Sequence, residues 1–227
     1  MSKKPFSQVK IVGCVMMHND DAYAKLCLDS LCKYTDELYI NLNEASPYID
    51  HLCRNHPKLK KLIITDNPKG WRQGLQREKT IRMLDDVKPD IVLWPDADEV
   101  YADNLIEDLK AFWESPYDCL WFNLAYLWNS PDWMRRDGLF KSMHHVRAFK
   151  WKPGLTFLPS SGYGAKPNNL GEGQGYLFHA SRPIKHYGYM TLEDRLRKYG
   201  RDGKTNYDDP KVRARMDKGI ILKPVNF

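Results

Sequence analysis

The 227-residue sequence contains no apolar run approaching the roughly 18 residues that a membrane-spanning helix requires. Its opening, Met1-Ser2-Lys3-Lys4-Pro5, is charged but is not followed by an apolar segment with a small-residue cleavage site. A secretory leader is therefore not expected, and a cytoplasmic location is. There is no CxxC pair. The five cysteines (Cys14, Cys27, Cys32, Cys53, Cys119) are odd in number and lack zinc-type spacing, which argues for reduced thiols rather than a disulfide framework. Cys14, Cys27 and Cys119 lie among apolar neighbours, where cysteine acts as a small buried hydrophobe. Neither G-x-G-x-x-G nor G-x-x-x-x-G-K-[ST] occurs, which excludes the dinucleotide fingerprint and the P-loop. Internal repeats and low-complexity segments are also absent.

What remains is the composition of an ordinary globular chain: 42 % hydrophobic, 28 % charged and 12 % aromatic. A chain of this length buries about 70 % of its unfolded surface, enough for one generous α/β domain. The net charge of +6 is unevenly placed. Residues 182–227 hold 12 Lys/Arg against 6 Asp/Glu, whereas residues 1–181 hold 23 of each. A basic tail on a neutral body suits an anionic partner, such as a diphosphate, a phospholipid surface or nucleic acid, and equally suits a solvated helical face.

Apolar residues from Lys10 to Met17 predict a buried parallel strand. Asn19-Asp20-Asp21 then offers capping side chains, and Ala24, Cys27, Leu28 and Leu31 recur at helical spacing. Leu38, Ile40 and Leu42 alternate as a second strand; Pro47 to Asn55 predicts a short helix and Lys61 to Thr65 a third strand. Leu75 to Asp86 reads as a weaker helix, and Ile91-Val92-Leu93-Trp94 as the fourth strand. Asp103 is the expected cap of a helix with Leu105, Ile106, Leu109, Phe112 and Trp113 on its apolar face. Leu120 to Trp128 predicts a long strand. This alternation argues a doubly wound, mostly parallel α/β sheet with ligands at the carboxyl ends of its strands. Beyond Trp128 the pattern is irregular. Pro153 to Gly175, rich in Gly, Pro, Ser and Asn, reads as one long loop (glycines 162, 164, 171, 173 and 175) of the kind that closes over a ligand. Thr191 begins a last helix with Asp194 at the capping-box position and Leu192, Leu196 and Tyr199 on one face.

The chemistry concentrates at Trp94-Pro95-Asp96-Ala97-Asp98-Glu99, where an apolar strand runs into three carboxylates. In extended chain Asp96 and Asp98 point to the same side. Like charges so close call for a cation, and Mg²⁺ or Mn²⁺ suits carboxylates plus the oxygens of a diphosphate. Such a metal would stabilise charge on a departing nucleoside diphosphate. The bland alternative is an acidic turn. Two other functional classes share these carboxylates: a metal-dependent phosphatase or nuclease, and a non-catalytic nucleotide- or carbohydrate-binding module. A haloacid-dehalogenase reading fails, because its aspartates follow the first strand, which here ends in Met16-Met17-His18.

Ile91 to Val100 resembles the D-x-D segment of GT-A glycosyltransferases, in particular a family 2 subgroup reading D-A-D-E. His18-Asn19-Asp20 resembles the polar turn after that family's first strand. Arg135-Arg136-Asp137-Gly138 resembles its R-x-D-G and Arg147-Ala148-Phe149 its R-x-F. His186-Tyr187 with Lys198-Tyr199 resembles its closing segment. The resemblance spans about residues 9–200. It implies a single GT-A domain over 1–227: a nucleotide-sugar-binding half (9–127), an acceptor half with a flexible loop (128–190), and a basic C-terminal helix and tail (191–227). It implies transfer of a hexosyl group from a UDP- or GDP-sugar to an acceptor hydroxyl on a glycan, a lipid-linked carrier or a nucleic acid.

On matching positions Asn43 stands where the family has an aspartate, Asp66 near the base, and Arg77 beside the diphosphate. Asp96 and Asp98 hold the divalent cation (Mn²⁺ or Mg²⁺). His186 is the expected third ligand, with His179 the weaker candidate; a neutral imidazole suits Mn²⁺ better than Mg²⁺. The subgroup's H-E pair has no counterpart at Phe157 to Ser161, so the general base falls to Asp137 or Asp132, then Glu172. Trp128, Trp133 and Trp151 are candidates for stacking a sugar ring or for the core.

Overall fold

Seven consecutive residues that are almost wholly apolar can be stable as a strand only where both faces of the sheet are covered, and Ile11–Met17 is such a segment. The computed structural model describes residues 4–18, 21–66, 73–141, 143–158, 166–170, 177–201, 217 and 219–225. In chain order the elements are β1 (Ile11–Met17), α1 (Asp21–Cys32), β2 (Glu37–Leu42), α2 (Pro47–Arg54), β3 (Leu59–Ile64), α3 (Gln73–Arg82), β4 (Ile91–Leu93), β5 (Glu99–Val100) and α4 (Leu105–Glu114). There follow β6 (Cys119–Tyr126), β7 (Trp133–Arg135), β8 (His144–Lys150), β9 (Leu177–His179), β10 (Ile184–His186), α5 (Leu192–Arg201) and β11 (Leu222–Pro224).

The main sheet runs β3-β2-β1-β4-β8-β6-β10-β5, with β9 also paired to β6. Its first four strands are parallel, as the alternation of strands and helices predicts. The helices cover both faces and divide the core in two. One apolar cluster (Val15, Leu28, Leu31, Leu109, Phe112, Phe122) lies under α1 and α4, and the other (Val12, Cys14, Ile81, Val92, Trp94, Phe149) under α3. Gly13 sets how closely α1 approaches the sheet: a Cβ there would meet Leu38 Cδ2 at 2.7 Å and Leu31 Cγ at 2.8 Å. All five cysteines are free thiols, and only Cys32 is not fully buried. No helix among the described residues is long and apolar enough to cross a membrane.

The second half departs from the simple alternation. β8 lies antiparallel between β4 and β6, and β5 pairs antiparallel with β10. β5 and β10 have two and three residues and find their partners far along the chain, so local periodicity does not reveal them; β8 has seven, but its two histidines and Arg147 interrupt the apolar pattern. A separate two-stranded sheet joins β11 to β7. The described parts of the expected long loop, 153–158 and 166–170, contain no helix or strand but pack inward. Leu155, Phe157 and Leu170 are buried, and Phe157 stacks on Trp94 at 5.6 Å between centroids. The loop's glycines 162, 164, 171, 173 and 175, together with Glu172 and the Asn19-Asp20 cap, lie outside the described residues.

Two helix expectations need correction. Asp103 does not cap α4: Asn104 occupies that position, and Asp103 is drawn outward to Lys33 at 2.5 Å. In α5 the capping box forms as expected, Thr191 Oγ1 accepting from the Asp194 N–H at 3.1 Å while Asp194 accepts from the Thr191 N–H at 3.0 Å. Leu192, however, is 42 % exposed, and the helix instead buries Asp194 and Arg195. Asp194 accepts from Tyr23 Oη, and Arg195 lies 4.3 Å from the Trp128 ring, so polar contacts orient the helix.

Candidate functional site

The site forms where β4 ends. β1 and β4 diverge there only after a last parallel bridge between Met16 and Asp96, which fixes the carboxyl edge of the sheet. The chain then turns instead of running extended. The Glu99 N–H donates to the Asp96 carbonyl at 3.0 Å, and the Glu99 carboxylate accepts from the Asp96 N–H at 2.9 Å. This overturns the expectation that Asp96 and Asp98 share one side of a strand: the turn sends the two carboxylates into different surroundings.

Asp96 faces two arginines. Arg77, from α3, donates to one carboxylate oxygen at 3.2 Å, and Arg147, from β8, donates to the other. Arg147 has no exposed surface and also grips Glu99, with Nη2 at 2.7 Å from Oε1 and Nε at 2.6 Å from Oε2. Burial works against a charged Asp96, but Arg147 and then Arg77 outweigh it and hold the carboxyl below its ordinary range. Burial likewise works against a charged Arg147, yet Asp96 and Glu99 hold its proton more firmly than usual.

Asp98 faces the other way. β5 and β10 pair so that Glu99 lies opposite His186, and the Tyr187 N–H donates to the Asp98 carbonyl at 2.9 Å. His186 Nε2 thereby stands 3.8 Å from Asp98 Oδ1, while Lys198 of α5 donates to Asp98 Oδ2 at 2.6 Å. Burial opposes a charged Asp98, but Lys198 and His186 more than offset it and hold the carboxyl well below the usual range. Burial pushes the His186 imidazole down to about 4, so it is neutral at physiological pH. Three buried or half-buried carboxylates are thus matched by Arg77, Arg147 and Lys198.

The remaining expected residues divide between the site and its surroundings. Asn43 is buried after β2, its amide donating to the Thr65 carbonyl at 2.5 Å, and its own carbonyl lies 2.6 Å from His18 Nδ1. Asp66 is exposed at the end of the described stretch after β3. Arg77 is fully buried, with Nε and Nη1 lacking a hydrogen-bond partner among the described residues. Asp137 is held by Arg135 in a two-toothed pair (2.8–3.1 Å) and accepts from the Ile221 N–H. Asp132 is exposed in the β6–β7 loop, near enough to raise the Tyr187 hydroxyl's affinity for its proton, second to burial. His179 stands on β9 against Trp121, with ring centroids 5.0 Å apart, and not beside Asp98. Trp128 lies between Arg135 and Arg195, Trp151 is half-buried, and Trp133 is 44 % exposed.

A divalent cation fits part of this donor set. Asp98 Oδ1 and the neutral His186 Nε2 face one another across 3.8 Å, while the ring's other nitrogen, Nδ1, is buried without a partner among the described residues. Asp96 is committed to its arginines, and no three His, Cys, Asp or Glu side chains among the described residues form a metal-binding group. Further ligands would have to be oxygens of the substrate. Arg147, Glu99, His145 and Lys198 gained no role from sequence reasoning, although R-x-F and the closing lysine marked two of them.

An open α/β sheet with an acidic turn at the carboxyl end of β4 and antiparallel strands beside it defines a GT-A-type domain. The sequence matches the model for glycosyl transferase family 2 over residues 14–178, and the chain belongs to that family. No curated protein matches it. Among solved structures it is similar to residues 1–349 of TarS from S. aureus, at 19 % identity and a TM-score of 0.41, covering 52 % of this chain and 36 % of that one. It is also similar to glucosyl-3-phosphoglycerate synthase from Mycobacterium tuberculosis, solved with Mg²⁺ and uridine diphosphate, at 14 % identity and a TM-score of 0.39, covering 53 % and 44 %. The chain thus matches less than half the length of either structure.

Proposed function

We propose that this chain transfers a hexosyl group from a UDP- or GDP-sugar to an acceptor hydroxyl, with a divalent cation, Mn²⁺ or Mg²⁺, held by Asp98 and His186. Membership of the family sets the class of reaction. The observation that supports the site best is the approach of His186 to Asp98 within 3.8 Å, from strands far apart in sequence. Once bound, the cation would neutralise charge on the departing nucleoside diphosphate.

The chain's own residues do the rest. Arg77, with two nitrogens that lack a partner among the described residues, is the donor we assign to the diphosphate. Asn43 and Asp66, at the ends of β2 and β3, are assigned to the nucleoside, and Asp96 orients Arg77 toward the donor. Between the two base candidates, Asp137 already accepts three hydrogen bonds from Arg135 and one from Ile221, which lowers its capacity to take a proton. Asp132 is exposed, near Tyr187, and is the preferred base. The acceptor, a glycan, a lipid-linked or a nucleic-acid-linked hydroxyl, would lie over the segment after Trp128, where the exposed Trp133 offers a ring face.

A thermal-shift titration with UDP and GDP, with and without Mn²⁺, tests this directly. A nucleotide at a hundred times its Kd stabilises by about 2.7 kcal/mol, and that gain should depend on Mn²⁺. Asp98→Asn should abolish the Mn²⁺-dependent part while leaving the melting of the free protein cooperative. Full transfer by Asp98→Ala in the presence of a chelator would sink the proposal.

A further inference from the structure

Lys198 stands where the proposed cation would have to act. Its ammonium lies 2.6 Å from Asp98 Oδ2, on the same carboxylate that faces His186. The lysine side chain is only 12 % exposed, and its Nζ lies 5.0 Å from the centroid of the Tyr189 ring. Gly188 makes room for this arrangement. A Cβ at that position would come within 2.1 Å of Asp98 Oδ2 and 2.2 Å of Lys198 Nζ, so any other residue would push the lysine off the carboxylate. The same ammonium also disfavours a proton on His186, after the contributions of burial and Asp98.

Resting on the proposed metal site, we infer that Lys198 is an internal counter-ion of Asp98 that competes with the divalent cation. A carboxylate this buried cannot remain unpaired in a dry interior. In the metal-free protein the lysine meets that need. When a cation binds Asp98 and His186, the ammonium becomes a like charge at close range and is displaced from Oδ2. Lys198 belongs to α5, whose cap is tied to α1 through Tyr23 and Asp194. Cation loading therefore acts on the C-terminal half of this helix, where Lys198 lies.

The test is Mn²⁺ affinity of the nucleotide-free protein, measured by calorimetry, for wild type, Lys198→Met, Lys198→Arg and Asp98→Asn. Methionine keeps the apolar stem against Tyr189 and removes the charge. Lys198→Met should bind Mn²⁺ at least tenfold more tightly than wild type, Lys198→Arg should stay within about threefold of it, and Asp98→Asn should lose binding. Without metal, Lys198→Met should melt at a lower temperature than wild type, and Mn²⁺ should restore it. Mn²⁺ binding that Lys198→Met leaves equal or weaker would overturn the competition and leave the metal site standing. Absence of Mn²⁺ binding in both wild type and Lys198→Met, with cooperative melting preserved, would overturn the competition and the metal site together.

Discussion

A guanidinium with no exposed surface, shared between Asp96 and Glu99, cannot be removed without leaving the fully buried Glu99 without its cation and the partly exposed Asp96 with Arg77 alone. Breaking a buried pair in this way costs about 3–5 kcal/mol, far more than an exposed pair. Arg147→Met should therefore lower the unfolding free energy by about that much in urea titrations. Arg147→Lys should recover only part of it, because one ammonium cannot reproduce the fork that spans both carboxylates. A loss below about 1 kcal/mol for the methionine variant would mean that Glu99 is protonated or hydrated in the folded state. His186 makes a different demand, since it is neutral and faces Asp98. His186→Ala should weaken Mn²⁺ binding by roughly tenfold or more, by analogy with the loss of partners around metal ligands. His179→Ala, whose ring rests on Trp121, should change it little. The opposite ranking in a Mn²⁺ titration would move the ligand to β9.

At the scale of elements, the capping box of α5 was legible from Thr191 and Asp194 alone, because its chemistry is local. What could not be read is that Asp194 also accepts from Tyr23 Oη, 171 positions away. Thr191→Ala should cost about 1 kcal/mol, as a lost cap does. A double-mutant cycle with Tyr23→Phe should show coupling, because both hydroxyls act on Asp194; strictly additive melting data would contradict a shared network. The same contrast runs through the fold. β1 to β3 and their helices follow from hydrophobic periodicity, as does the strand at Cys119–Tyr126, since each is long enough to show its own period; β4, of three residues, is legible as an unbroken apolar run ahead of the acidic turn. β5, β9 and β10 have two or three residues each and exist only because of their partners, so they left no pattern to read. The site inherits this split. The acidic turn after β4 was visible, whereas the separation of Asp96 from Asp98 depends on β8 and β10 bringing Arg147 and His186 to opposite sides of it.

At the scale of the whole molecule, the charge arrangement makes stability depend on pH through a histidine that no motif marked. His145 stands beside Arg147 on β8, its Nδ1 accepting from the Arg147 Nη2 at 3.2 Å. An arginine can only donate, so this nitrogen is unprotonated and the ring is neutral. A proton there would break the hydrogen bond and add charge near Arg147, Arg77 and His186, with only Asp96 in favour. Burial first, and then Arg147, pull the imidazole from 6.5 down to about 4. The sign follows from which state takes up the proton first. As pH falls below 6.5 the unfolded chain is protonated at this position and the folded chain is not, so protonation drains the folded state. Stability should decline between about pH 6.5 and pH 4 and level off below, where the folded form is protonated too. The shift corresponds to a loss of about 3 kcal/mol at most from this one residue. His145→Gln retains a neutral acceptor for Arg147 and cannot titrate, so it should make this part of the acid limb shallower in metal-free protein, the remainder being carried by His186, whose imidazole is pushed down over the same range. Denaturant titrations of both proteins at pH 7, 5.5 and 4 measure the difference, and parallel declines would show that other groups carry the acid sensitivity.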